Sequence, residues 1–143
     1  GKPFAMGARV QNADAKLWLR QAEDDYRFAR TALAGQFYAQ CCFIAQQVAE
    51  KGAKAVHYHL GARTVIGHSI QVLMRRLNAR AGVTEALLEI AGQLDQYYVS
   101  TRYPDALPGL APSDAFSRAQ AQAALRSARK GLQWAREQLR QPR

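Results

Sequence analysis

The sequence predicts an all-α protein, an antiparallel up-down bundle of about four long helices and one shorter one. Three observations predict it. Apolar residues recur at helical spacing through nearly the whole chain, breaks at Gly35, Gly61 and Gly82 divide the runs, and no stretch shows the alternation of a half-buried strand. The 143 residues suit one domain, and 48% hydrophobic against 22% charged residues, without a proline- or glycine-rich tract, describe a folded chain with one core. Residues 1–12 carry no pattern and read as a loose lead-in, and residues 13–141 form the domain.

Helix one opens at Ala13 with Asn12 or Asp14 as its cap. Leu17, Trp18, Ala22, Tyr26, Ala29 and Leu33 recur along it until Gly35 stops the run. Its acidic cluster, Glu23, Asp24 and Asp25, faces solvent unless one of them meets a basic residue on a neighbouring helix. Only Gly35 and Gln36 separate this helix from the run that opens at Phe37, so the two should pack as an antiparallel hairpin.

Helix two, Phe37 to Tyr58, is the least ordinary. At about 100° per residue its broad apolar side holds Phe37, Cys41, Ile44, Val48 and Ala55. On the opposite side, within about 140° of arc, lie Gln46, Gln47, Glu50, Lys54 and His57 together with Phe43 and Tyr58. A solvated Glu50–Lys54 pair would contribute only about 0.3–0.5 kcal/mol. Solvated faces seldom carry two aromatics beside such a pair, so the seam reads as buried, at a subunit interface or in a ligand groove.

Gly61 stops helix two, and His68 or Ser69 starts helix three, with Ile70, Leu73, Met74 and Leu77 inward and Arg75, Arg76 and Arg80 outward. Gly82 ends it. Thr84 opens helix four, whose apolar positions are Leu87, Leu88, Ala91, Leu94 and Tyr98. Asp95, Tyr98 and Arg102 fall on one side of it before Pro104 breaks the helix. A turn-rich loop, PDALPGLAPSD, leads to Ser113 or Asp114 as the cap of helix five. That helix has an apolar seam of Phe116, Ala121, Leu125, Ala128, Leu132, Ala135 and Leu139, and its arginines read as a solvated face.

Composition narrows the chemistry. No segment offers about 18 uninterrupted apolar residues, so no membrane span is expected. The first ten residues lack the apolar core of a secretory signal, and a cytoplasmic location follows as the expectation. With 20 Lys and Arg against 11 Asp and Glu, the net charge of +9 favours a polyanionic partner such as a nucleotide or nucleic acid. Cys41 and Cys42 are adjacent and read as small buried thiols. His57 and His59 point to different sides of a helix, no set of metal ligands is completed, and no Gly-rich phosphate loop occurs, so neither a metal nor a cofactor is expected.

The segment AQQVAEKGAKAVHYHLG resembles the central helix of the HEPN domain family, a group of small all-helical proteins. Its Glu-x3-Lys-x3-aromatic signature is matched by Glu50, Lys54 and Tyr58, preceded by Gln46 and Gln47. His68 followed by Ile70 and Leu73 is similar to that family's entry into its third helix. LDQYYVSTRYPD, from Leu94 to Asp105, is similar to its Leu-Asp-x-Tyr-Tyr…Arg-Tyr-Pro-Asp stretch.

The resemblance implies a nucleotide or RNA ligand held among Gln47, Glu50, Lys54, Tyr58, His68, Tyr98, Arg102 and Tyr103. Lys54, His68 and Arg102 would meet phosphate, while Tyr58, Tyr97, Tyr98 or Tyr103 would stack on a base. It also implies a minimal nucleotidyltransferase as partner in a toxin-antitoxin or regulatory pair. The wide contact faces of helix two point to a homodimer.

Many members of the family are metal-independent ribonucleases with an Arg-x4-6-His motif. Here Arg102 holds the arginine's place, but the residues after it, YPDALPGL, contain no histidine. A nucleotide- or RNA-binding module, non-catalytic or catalytically unproven, is therefore the leading expectation. The alternatives are an endoribonuclease toxin pairing His68 with Arg102 or with Arg63, which stands five residues ahead of it in a literal Arg-x4-His, and a non-enzymatic assembly protein.

Overall fold

The computed structural model describes residues 2–77, 81–103 and 109–142, with side chains from residue 13 onward. Among these the chain forms α1 (Lys2–Ala34), α2 (Tyr38–His59), α3 (Ile70–Arg75), α4 (Glu85–Asp95), α5 (Tyr97–Ser100), α6 (Pro112–Ala115) and α7 (Arg118–Arg140), with no strand. The all-helical class is as the sequence predicts. The lengths differ: α1, α2 and α7 are long, α4 is intermediate and the rest are single turns or little more.

α2 lies between α1 and α7. Its approach to α7 is close because small residues meet there. A Cβ on Gly52 would stand 3.3 Å from the Ala135 Cβ, and one on Gly131 would stand 3.2 Å from the Ala49 Cβ. Val48, Val56, Ile70, Leu73, Met74, Leu94 and Leu132 fill the interior, so α3 and α4 close the bundle over the same core. Two of the three clustered acids of α1 tie it to its neighbours, Asp25 to Lys51 on α2 and Glu23 to Arg136 on α7 at 3.0 Å.

The turns explain where helices end. α2 stops in a Schellman motif: Ala62 N–H donates to the His57 carbonyl at 3.0 Å and Gly61 N–H to the Tyr58 carbonyl at 3.1 Å, with Gly61 at φ 105°. Between α1 and α2 the left-handed residue is Gln36, at φ 67°, and not Gly35. Gly35 serves a different need, since a Cβ there would lie 3.1 Å from the Phe37 ring.

Several boundaries move. α1 starts at Lys2 and takes in the stretch expected as a lead-in, so Asp14 lies within the helix and caps nothing. Leu17 and Phe37, expected on apolar faces, are 57% and 58% exposed; Phe37 is the N-cap of α2 and precedes its first turn. Ser69 is the cap of α3, accepting from Val72 N–H, and Thr84 is the cap of α4, accepting from Leu87 N–H. Helix four divides at Gln96 into α4 and α5. The last helix begins later than Ser113 or Asp114: Ser117 and Gln120 form a capping box, which releases Phe116 to pack edge-on against Tyr97 with ring centroids 5.9 Å apart. Arg80 and Pro104 lie outside the described residues.

Candidate functional site

The polar seam of α2 is buried from within the chain. Gln46, Glu50 and Lys54 recur every fourth residue, which stacks them on one face, and all three are buried. Lys54 Nζ lies 3.2 Å from Glu50 Oε2, with side-chain exposures of 9% and 4%. α1 covers the lysine: Nζ sits 5.2 Å from the Trp18 ring centroid, and Trp18 stacks on Tyr58. The Tyr58 hydroxyl accepts from Val65 N–H at 3.3 Å, so Tyr58 braces the loop that follows α2. The seam needs no second subunit to cover it, which removes the reason for reading it as an interface.

Glu50 also faces His68. Nδ1 of the imidazole is 3.4 Å from each carboxylate oxygen. A carboxylate only accepts, so in this contact Nδ1 carries the proton and Nε2 is the nitrogen on the far side of the ring. The His68 side chain is 60% exposed while Glu50 is almost wholly enclosed. The geometry is a buried acid orienting an open imidazole.

Asp95 holds the histidine's own segment in place. Its carboxylate accepts from Ser69 Oγ at 2.9 Å, Ile70 N–H at 2.8 Å and Gln71 N–H at 3.1 Å, so it satisfies free N–H groups at the start of α3. Gln46 Nε2 donates to the His68 carbonyl at 2.8 Å, and Gln47 Nε2 donates to Gln46 Oε1 at 2.8 Å. Both carboxylates of the site are thereby engaged internally, Glu50 with Lys54 and Asp95 with a helix N-terminus.

The outer wall comes from the end of helix four. His68 stacks on Tyr98, and Arg102 lies over the same ring with its guanidinium carbon 4.4 Å from the centroid. The guanidinium is also 4.7 Å from the Phe43 ring and 5.0 Å from the Tyr103 ring, and Nε donates to the Tyr98 carbonyl at 2.7 Å. Arg102 is exposed, and no carboxylate among the described residues pairs with it. The exposed members of the site are thus an arginine, a histidine and Tyr103, set against the half-buried Tyr98 and Phe43 rings.

Of the residues the sequence singles out, Gln47, Glu50, Lys54, His68, Tyr98, Arg102 and Tyr103 form one connected cluster, with Tyr58 at its inner edge. Arg63 is exposed on the loop, and no hydrogen bond, ion pair or ring contact among the described residues joins it to His68 or Arg102. Tyr97 turns away to Phe116. Trp18 escapes sequence reasoning as a site residue, because at helical spacing it reads as a core position of helix one. Asp95 reads in sequence only as a neighbour of Tyr98; its capping of α3 is a contact across 25 residues that no local pattern signals. The remaining histidines are occupied elsewhere, His57 Nε2 with the Leu73 carbonyl at 2.7 Å and His59 Nε2 with the Gln141 carbonyl at 2.8 Å.

Known proteins share this architecture. The HEPN domain profile matches residues 15–138. The crystal structure of TT1696 from Thermus thermophilus superposes with a TM-score of 0.83 at 40% identity, covering 87% of this chain and 97% of that one. ST0689, described as an archaeal HEPN homologue, gives a TM-score of 0.74 at 33% identity, covering 87% and 97%. An HEPN domain protein from Thermotoga maritima gives 0.69 at 31% identity, covering 87% and 98%. No curated protein matches the chain.

Proposed function

The chain belongs to the HEPN domain family, and from that premise we propose that it is a non-catalytic module that binds a nucleotide, free or within RNA, on the Arg102–Tyr98–His68 surface. One observation carries this reading: Arg102 is exposed, unpaired with any carboxylate among the described residues, and held over three aromatic rings beside His68. A guanidinium held in that way meets a phosphate in two-toothed fashion with little further loss of freedom, and the exposed Tyr103 ring beside it accepts a base by stacking. Glu50, Lys54, Gln46 and Asp95 act as positioning residues. The working unit in this reading pairs with a minimal nucleotidyltransferase, as the family resemblance implies, and any homodimer forms through a surface other than the Glu50–Lys54 seam.

A thermal-shift series with common mononucleotides tests the ligand. A nucleotide at 100 times its dissociation constant stabilises by about 2.7 kcal/mol. No shift with any of them, together with no retention of RNA, contradicts the proposal.

A second reading, a metal-independent ribonuclease, is favoured by the orientation of His68. With Nδ1–H directed at Glu50, Nε2 is free to take a proton from a ribose hydroxyl while Arg102 balances phosphate charge. RNA cleavage by the pure protein that is abolished in His68→Ala would replace the binding reading with this one.

A further inference from the structure

The arginines of α7 do not scatter around the helix. At about 100° per residue, Arg118, Arg126, Arg129, Arg136 and Arg140 fall within about 80° of arc, a strip about 33 Å long at 1.5 Å per residue. Arg136 is half-buried and the other four are exposed. α1 runs alongside in the opposite direction. Near one end Lys16 and Leu19 share a cleft with Leu139 and Arg140, and further along Tyr26 and Leu33 share another with Leu125, Arg126 and Arg129. The two clefts lie along one α1–α7 groove, interrupted between them by the Glu23–Arg136 ion pair, with apolar residues at the floor and arginines along the α7 side.

An ordinary solvated face would alternate its charges. Here the basic residues of α7 are opposed within that helix by Glu137 alone. Arg126 with Arg129, Arg126 with Lys130, and Arg136 with Arg140 are like charges three or four apart, each pair destabilising by about 0.2–0.5 kcal/mol. Glu23 and Glu137 meet Arg136 and Arg140, whereas Arg118, Arg126 and Arg129 pair with no carboxylate among the described residues. A bound polyanion removes that repulsion.

We infer that the α1–α7 groove is a second binding surface, separate from Arg102, and that it takes the phosphodiester backbone of a single-stranded nucleic acid. Its length exceeds one nucleotide, arginine rather than lysine suits phosphate in two-toothed contact, and the floor residues Tyr26, Leu33 and Leu125 offer apolar contact to bases. A bilayer fits less well, because none of the exposed large hydrophobic residues among those described lies on α7.

The test is the salt dependence of binding to a fluorescent oligouridine, measured by anisotropy for the parent and for Arg118→Gln/Arg126→Gln/Arg129→Gln, with anionic phospholipid vesicles as a second ligand. These three arginines hold no ion pair among the described residues, and Arg118, at the end of the strip, only lies over the Tyr38 ring of α2 at 5.7 Å, so the variant should keep its fold and its response to mononucleotides. The slope of log affinity against log salt should fall by about 2 in the variant, at about 0.7 for each phosphate no longer neutralised. An unchanged slope, absence of oligouridine binding by the parent, or binding of vesicles in place of oligouridine overturns the inference. Arg102→Gln, measured in parallel, separates this result from the fate of the first site.

Discussion

His68 lies nearly flat on Tyr98, with ring centroids 4.8 Å apart and planes 18° from parallel. This contact joins two segments that are distant in sequence and defines the open face of the site. Behind it Glu50 fixes the imidazole, and beside it the Tyr98 carbonyl fixes Arg102. Stability and binding should therefore separate: inner residues govern the first, outer residues the second.

Lys54→Met should be among the most destabilising changes. It leaves the Glu50 carboxylate enclosed without its partner, a loss of about 3–5 kcal/mol. Urea denaturation of the variant measures it, and adding Glu50→Gln should recover much of the loss. Because the pair is covered by Trp18 of the same chain, light scattering should show the same oligomeric state at temperatures where the variant is folded.

Asp95→Ala removes three hydrogen bonds at the head of α3. The expected cost is about 1–3 kcal/mol. Hydrogen exchange should show faster opening at Ile70 and Gln71, and nucleotide affinity should fall because His68 loses its anchored neighbour.

Gln36→Gly should stabilise. Gln36 holds φ 67° in the α1–α2 turn, and relief of left-handed strain of about 1–2 kcal/mol outweighs the extra chain entropy of glycine, about 0.5–1 kcal/mol. A rise of the thermal midpoint is expected, with nucleotide binding unchanged.

The cysteine pair gives a pH dependence. Burial pushes the Cys41 thiol up to about 11 and, with the neighbouring Cys41 adding to it, the Cys42 thiol up to about 12, from an ordinary 9.0. The native state therefore holds these protons more tightly than the unfolded chain. Their contribution is fully present below pH 9.0 and is lost as pH rises through the folded values. Urea midpoints should fall in alkali, and Cys42→Ala should flatten part of that fall.

Much of this fold and site is legible in the sequence, and for identifiable reasons. Glu50, Lys54 and Gln46 show themselves because a four-residue repeat on one helix is local, and Phe43 and Tyr58 mark that face as unlike solvent-facing surface. The hairpin at Gly35–Gln36 and the caps at Ser69 and Thr84 are likewise local signals. What the sequence conceals is non-local. Trp18 covers Lys54 from another helix, Asp95 caps a helix that precedes it in the chain, and Arg102 reaches His68 only through Tyr98. The expected dimer contact of the seam fails as an argument for the same reason, since α1 and the segment around His68 supply the missing cover. The start of α7 is a local signal masked by a competing one: Ser117 and Gln120 have capping-box spacing, but Ser113 and Asp114 stand ahead of them as equally plausible caps.

The most direct measurement is a calorimetric titration of a mononucleotide into the parent and into Arg102→Gln, each confirmed as folded by its thermal midpoint. Arg102 is exposed and pairs with no carboxylate among the described residues, so its replacement should cost only its ring contacts and its bond to the Tyr98 carbonyl, about 1–2 kcal/mol, and leave the protein folded. Affinity should fall at least tenfold, as expected for loss of a charge-assisted hydrogen bond of about 1.5–3 kcal/mol. Equal affinity in the two proteins would contradict the assignment of the Arg102–Tyr98–His68 surface as the nucleotide site.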